Sequence, residues 1–138
     1  MTMDLAKSMS VAASGMRAQG TRLKVVAENI ANADTVVGAD GFDPYRRKII
    51  TFKDQLDRAT GASLVKVNPL TQDTSDFRIE YKPSHPKADP DGYVKMPNVN
   101  SLIEVMDMRE AQRSYEANVT MIEGSKNLIQ RTIDLLRS

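Results

Sequence analysis

The sequence predicts a mainly α protein with a small β-rich insert, its long N- and C-terminal helices forming an antiparallel coiled-coil-like pair that packs with other subunits. Three observations predict it. Apolar residues recur at heptad spacing near the N-terminus, a second heptad stripe crosses the C-terminal region, and the middle changes to short alternating runs broken by proline and glycine. Neither stripe can be buried by a helix standing alone.

The first helix carries Leu5, Met9, Ala12, Met16, Gln19, Leu23, Val26 and Ile30, in alternating steps of four and three residues. Thr2 or Asp4 is placed to cap its start, and it is expected to end within 29–35, where an asparagine can take the left-handed conformation. Gly15 and Gly20 lie inside it and each costs about 1 kcal/mol relative to alanine, so the isolated helix is expected to be marginal. Residues 1–35 are therefore read as an N-terminal heptad helix that is ordered by packing with other helices.

Residues 36–98 read as the β-rich insert, with long loops. The β-favouring runs are 47–52, 63–67, 77–81 and 92–96, and the last three alternate as half-buried strands do. Pro69, Pro83, Pro86, Pro90 and Pro97 all follow Val67, which keeps strands short there.

Residues 99–138 form the second helix. Ser101 with Glu104 resembles a capping box, and no proline follows. The stripe runs through Val105, Met108, Gln112, Tyr115, Val119, Ile122, Lys126, Ile129, Ile133 and Leu136, and Met121, Leu128 and Leu135 widen it beyond a two-helix seam. Gly124 is its weak point. The expected assembly interface comprises Leu5, Met9, Met16, Leu23, Val26 and Ile30 on the first helix. On the second it comprises Met108, Tyr115, Val119, Ile122, Leu128, Ile129, Ile133 and Leu136. Gln19, Gln112 and Lys126 interrupt the stripes and read as solvated edge positions; the alternative is that buried polar groups there select register and partners.

Composition narrows the classes. The chain has 138 residues, 5% aromatics and no Trp, so its aliphatic residues, concentrated in the stripes, are expected to be buried largely against other chains. A net charge of +1 gives no basic field for nucleic acid. The absence of cysteine removes disulfides, thiolate chemistry and Cys-based metal sites. No apolar run approaches the ~18 residues of a membrane span, and no uninterrupted apolar core of a cleaved secretory signal is present. Between Asp4 and Glu28 the first helix has no acid but carries Lys7, Arg17, Arg22 and Lys24, a pattern also seen in targeting or membrane-surface segments.

Candidate chemistry is sparse. His85 is the only histidine and has no second ligand or nucleophile beside it in sequence, so it reads as structural or exposed. Asp89-Pro90-Asp91-Gly92 fails as a calcium loop: aligned on Gly92, the first ligand would be Lys87 and the twelfth Asn98. A tight turn before a strand is the simpler reading. The pairs Asp73/Asp76 and Glu104/Asp107 lack a desolvating context, and Asn118-Val119-Thr120 is a sequon lying mid-helix. No catalytic, cofactor-binding or metal-binding residue is expected, no small-molecule substrate is implied, and the chain reads as no enzyme.

Two segments are more specific than periodicity. Asn29-Ile30-Ala31-Asn32, with Thr35, resembles the element that ends the first helix of bacterial flagellar axial proteins, the rod, hook and hook-associated subunits. Gly92 to Asn100, including Pro97, Asn98 and Asn100, followed by Tyr115-Glu116-Ala117-Asn118, resembles the proximal rod subunits of that family, as do Asp76-Phe77-Arg78 and Pro83-Ser84-His85-Pro86. Residues 36–42 lengthen the connection where the family often continues into a Gly-Tyr or Gly-Phe pair.

The resemblance implies a structural subunit of the flagellar basal-body rod that transmits torque through a hollow helical assembly. It implies export by the flagellar type III apparatus without a cleaved signal, assembly in the periplasm, self-association, and the neighbours FlgB, FlgF, FlgG and FliE. From the stripes alone, a soluble coiled-coil adaptor forming a closed small oligomer is the competing reading.

Overall fold

The computed structural model describes residues 2–38 and 41–138, without the side chains of Thr2 and Met3. A capping role for Thr2, and Ala39 and Asp40 in the lengthened connection, thus lie outside the described residues. Helix α1 spans Thr2–Ala31 and helix α2 spans Ser101–Arg137. Between them lie β1 (Lys48–Ile49), β2 (Phe52–Leu56), β3 (Ser63–Val67), β4 (Thr71–Gln72), β5 (Arg78–Tyr81) and β6 (Tyr93–Met96). These pair antiparallel as three two-stranded ribbons, β1–β4, β2–β3 and β5–β6. The mainly α class with a small β-rich middle is therefore what this sequence adopts.

The local grammar differs from expectation in four places. The run 47–52 is two strands, because the chain leaves one ribbon after Ile49 and enters another at Phe52. Strand β4 and the polar length of β2, Lys53-Asp54-Gln55, carry no apolar alternation, since both faces of each lie in solvent. Helix α1 ends without a left-handed asparagine: no described non-glycine residue has positive φ. Instead Asn32 turns its Nδ2 back onto Glu28 O at 2.9 Å and accepts from Thr35 Oγ1 at 3.0 Å, satisfying the helix end by side chain. Helix α2 is capped by Asn100, whose Oδ1 accepts from Leu102 N at 3.1 Å, and not by Ser101. Glu104 takes no part in a capping box because its carboxylate is drawn inward to Arg47 and Asn29.

The chain divides into two compact units, each taking part of both helices. The first comprises Met1–Leu23, Thr51–Asn68 and Arg109–Ser138. Its helices pair antiparallel through small residues: Asn118 lies against Gly15, Tyr115 against Gly20, and Arg22 reaches Glu110 at 3.5 Å. A Cβ on Gly15 would stand 2.9 Å from Asn118 Nδ2, so the glycine permits a close helix approach. Ala12, Ala18 and Ala111 are buried. Ser14, also buried, accepts from Val65 N at 3.0 Å and so ties the β2–β3 hairpin to α1.

The second unit comprises Lys24–Ile50 and Pro69–Met108. Its core gathers Val25, Val26, Ala33, Val94, Met96 and Val99, with β6 alternating outward and inward as the pattern of Tyr93 to Met96 predicts. Asp89 and Gly92 close the β5–β6 loop, Gly92 with φ +90°. No described helix is long and apolar enough to cross a membrane.

Candidate assembly surface

The motif residues at the end of α1 and the start of α2 meet inside the second unit. Asn29, almost wholly buried, donates through Nδ2 to Lys48 O at 3.0 Å and accepts through Oδ1 from Lys48 N at 3.0 Å and Tyr45 Oη at 2.7 Å. Its Nδ2 also faces Glu104 Oε2 at 3.4 Å. Glu104, equally buried, pairs with Arg47 Nε, and the same guanidinium approaches Asp73 at 3.5 Å and Asp107 at 3.8 Å. Asn98 Oδ1 accepts from Arg47 N at 2.7 Å while its Nδ2 donates to Asp73 O at 2.9 Å. Arg78 clamps Ala33 O at 3.0 Å and Pro97 O at 2.9 Å. Buried polar groups are stable only when paired, and here each finds its partner from a different chain segment. Of the motif residues, Asn29, Asn98 and the Pro97 carbonyl take part in these bonds, Asn32 and Thr35 close the end of α1, Asn100 caps α2, Ala31 is exposed and Ile30 half-buried.

Charges around the joint are held in their ionised forms. The Lys48 ammonium, 2.8 Å from Glu28, keeps that carboxyl below its ordinary value, and Glu28 in turn raises Lys48. Asp73 is held low by the Ser75 backbone amide, then by the Ser75 hydroxyl and by Arg47. Glu80 is lowered by Lys82 and by Arg78. Burial pushes the Tyr45 phenol up.

The stripe residues fall into three environments. Val26 is buried within the chain itself. Leu5, Met9, Met16, Leu23, Ile30, Met108, Tyr115, Val119, Ile122 and Ile129 are half-buried. Leu128, Ile133 and Leu136 are exposed at 52%, 41% and 82%, and Leu135 stands out beside them. Exposed large apolar side chains grouped on a helix are what an interaction surface presents. Of Glu116, Ala117 and Asn118, Asn118 lies against Gly15 of α1, whereas Glu116 and Ala117 are exposed.

Sequence reasoning missed a further group of exposed apolar residues. Leu102, Ile103 and Met106 are among the exposed apolar residues, at the start of α2 and off the heptad track except for Val105 between them. The signal was present as four apolar residues within the first two turns, more than one face needs. Gln112 and Lys126 are exposed, as solvated edge positions should be. Gln19 is not: its Oε1 is buried with no hydrogen-bond partner among the described residues.

The candidate chemical groups remain dispersed. His85 Nδ1 accepts from Lys87 N at 3.0 Å within a turn. Asp73 Oδ1 accepts from Ser75 N at 2.9 Å, and its other oxygen faces Arg47. No cluster of three His, Cys, Asp or Glu among the described residues is arranged to hold a metal ion. The described residues thus show a buried polar joint in the second unit and exposed apolar side chains on α2.

The family model described as "Flagella basal body rod protein" matches residues 9–39, which hold most of α1 and its motif. The model described as "Flagellar basal body rod FlgEFG protein C-terminal" matches residues 91–135, from β6 through most of α2. The flagellar basal-body rod protein FlgC of Agrobacterium fabrum is 51% identical over 134 residues, covering 97% of this chain and 96% of that one. That of Salmonella typhimurium is 40% identical over 135 residues, covering 96% and 98%. That of Bacillus subtilis is 34% identical over 143 residues, covering 93% and 95%. Identity at that level along nearly the whole of both chains means that this chain belongs to the FlgC family of flagellar basal-body rod proteins.

Proposed function

We propose that the chain is a structural subunit that builds a hollow helical rod through its terminal helices and transmits torque along it, without catalysis. The carrying observation is the exposed apolar side chains of α2, with Met121, Leu128 and Leu135 on one line a heptad apart and Ile133 and Leu136 exposed towards the helix end. Large apolar groups left in water by an isolated subunit gain their stabilisation on assembly, and heterologous contacts between unlike faces extend an open array where a self-complementary face would close a dimer.

On this reading the interface is formed by Leu5, Met9, Met16, Leu23, Val26 and Ile30 with Met108, Tyr115, Val119, Ile122, Leu128, Ile129, Ile133 and Leu136, Val26 acting by supporting the helix from within. Residues 1–35 and 99–138 serve as assembly segments around the insert 36–98. The neighbours are other rod subunits, FlgB, FlgF, FlgG and the adaptor FliE, and the place is the periplasmic part of the basal body, reached through flagellar type III export without a cleaved signal. The marginal α1 suits a chain that must be threaded unfolded.

Image reconstruction of basal bodies isolated from the organism tests the reading. Density for this chain in the rod wall, with both helices lining the tube, is the expected result; a closed small oligomer outside the rod contradicts it.

A further inference from the structure

Gly124 stands inside α2 with nothing within 4 Å of the place its Cβ would occupy. A glycine inside a helix costs about 1 kcal/mol against alanine, and Gly15 recovers such a cost in a close helix approach whereas Gly124 meets nothing in its own chain. It lines an open groove of ≈ 620 Å³ with Leu5, Ala117, Met121 and Leu128. Small residues, Ala117, Gly124 and Ser125, lie among apolar Leu5, Met121 and Leu128 and a few uncharged polar side chains, a lining that admits the ridge of another helix at short interaxial distance. The charged residue of that lining is Arg131, the adjoining groove adds Lys7, and neither lining contains an acid.

The complementary shape and charge occur on the same sequence. Leu102 and Met106, exposed at 70% and 62%, form with Ile103 one ridge at the start of α2. One turn further along that ridge is Glu110, whose side chain is 69% exposed although it reaches Arg22.

Resting on the rod-subunit reading, we infer that the Gly124 groove seats the Leu102–Ile103–Met106 ridge of a second copy of this chain, with Glu110 of that copy facing Lys7 and Arg131. The contact joins two different surfaces, so every added copy leaves a ridge and a groove free for the next. Gly124 is glycine because the second helix lies where a side chain would be.

Two substitutions and one cross-link test this in the full-length chain. Gly124→Ala and Gly124→Leu place atoms in open space, so the free chain should melt at the same or a higher temperature. Incorporation of the Leu variant into isolated basal bodies should fall about tenfold or more, and that of the Ala variant by less. The chain has no cysteine, so a benzophenone maleimide attached at Leu128→Cys reports one position. Adducts should map to residues 102–110 of a second copy and vanish with Gly124→Leu. Incorporation of Gly124→Leu at the level of the unsubstituted chain, or adducts confined to a different rod protein, overturns the assignment while leaving the rod reading intact. Absence of the unsubstituted chain from basal bodies fails the rod reading itself.

Discussion

Asn29 is joined to Lys48 as one strand is joined to another: its carboxamide donates to the Lys48 carbonyl and accepts from the Lys48 amide, both at 3.0 Å. A helix residue thereby does the work of a sheet edge, and the returning chain is fixed to the end of α1. Sequence reading placed Asn29 only as part of a helix stop, because the partner it serves lies 19 positions away.

Replacing Asn29 should therefore unlock the second unit. Asn29→Ala leaves both Lys48 backbone groups without their side-chain partner, and at about 1–3 kcal/mol per orphaned buried group the loss should be a few kcal/mol. Asn29→Asp should cost more at neutral pH, because a carboxylate would replace the donor that faces Lys48 O and the buried Glu104. Urea midpoints of the two variants check the order; equal midpoints, or a more stable Asp variant, contradict it.

Arg47 and Glu104 should behave as a buried ion pair. Arg47→Met strands a nearly inaccessible carboxylate and should destabilise by about 3–5 kcal/mol, whereas the double variant Arg47→Met/Glu104→Leu should recover part of that loss. A double-mutant cycle measures the coupling. Additive losses would show that the two side chains do not stabilise one another.

Acid should open the second unit before the first. Glu28, Asp73 and Glu80 all belong to it and all have folded-state values below their ordinary ones. A depressed carboxyl contributes stability that is present above its unfolded value and is lost as pH falls through the folded one. Amide exchange followed from neutral to acid pH should show protection falling first around β1, β5 and the end of α1. Simultaneous loss at the β2–β3 hairpin would contradict this order.

Much of the fold was legible because its signals are local. Heptad spacing gave both helices, and alternation gave β3, β5 and β6. What stayed hidden depends on distant partners. Glu104 satisfies a capping-box spacing, yet Arg47 claims its carboxylate; β4 is two polar residues whose pairing with Lys48 and Ile49 has no local signature. The stripe was legible as a list of residues but not as a division between an inner seam of Gly15, Ala12 and Asn118 and an outer face of Leu128 and Leu136. Small residues carry little hydrophobic signal, so the seam that brings the helices together is the part periodicity weighs least.

Leu128 separates folding from assembly. At 52% exposure, Leu128→Asp should leave the melting temperature of the free chain within a few degrees while removing it from rods and abolishing motility. Ile129→Asp, at a half-buried position, should lower the melting temperature as well. Thermal melts beside rod incorporation distinguish the two; normal incorporation of the Leu128 variant contradicts the assigned face.

The most direct measurement is the solvent accessibility of the outer face of α2 before and after assembly. With cysteine introduced singly at Leu128, Ile133 or Leu135, the account predicts fast maleimide labelling of the free full-length chain and strong protection at all three positions in intact basal bodies. Equal labelling rates in the two states would contradict the claim that this face is what the rod is built upon.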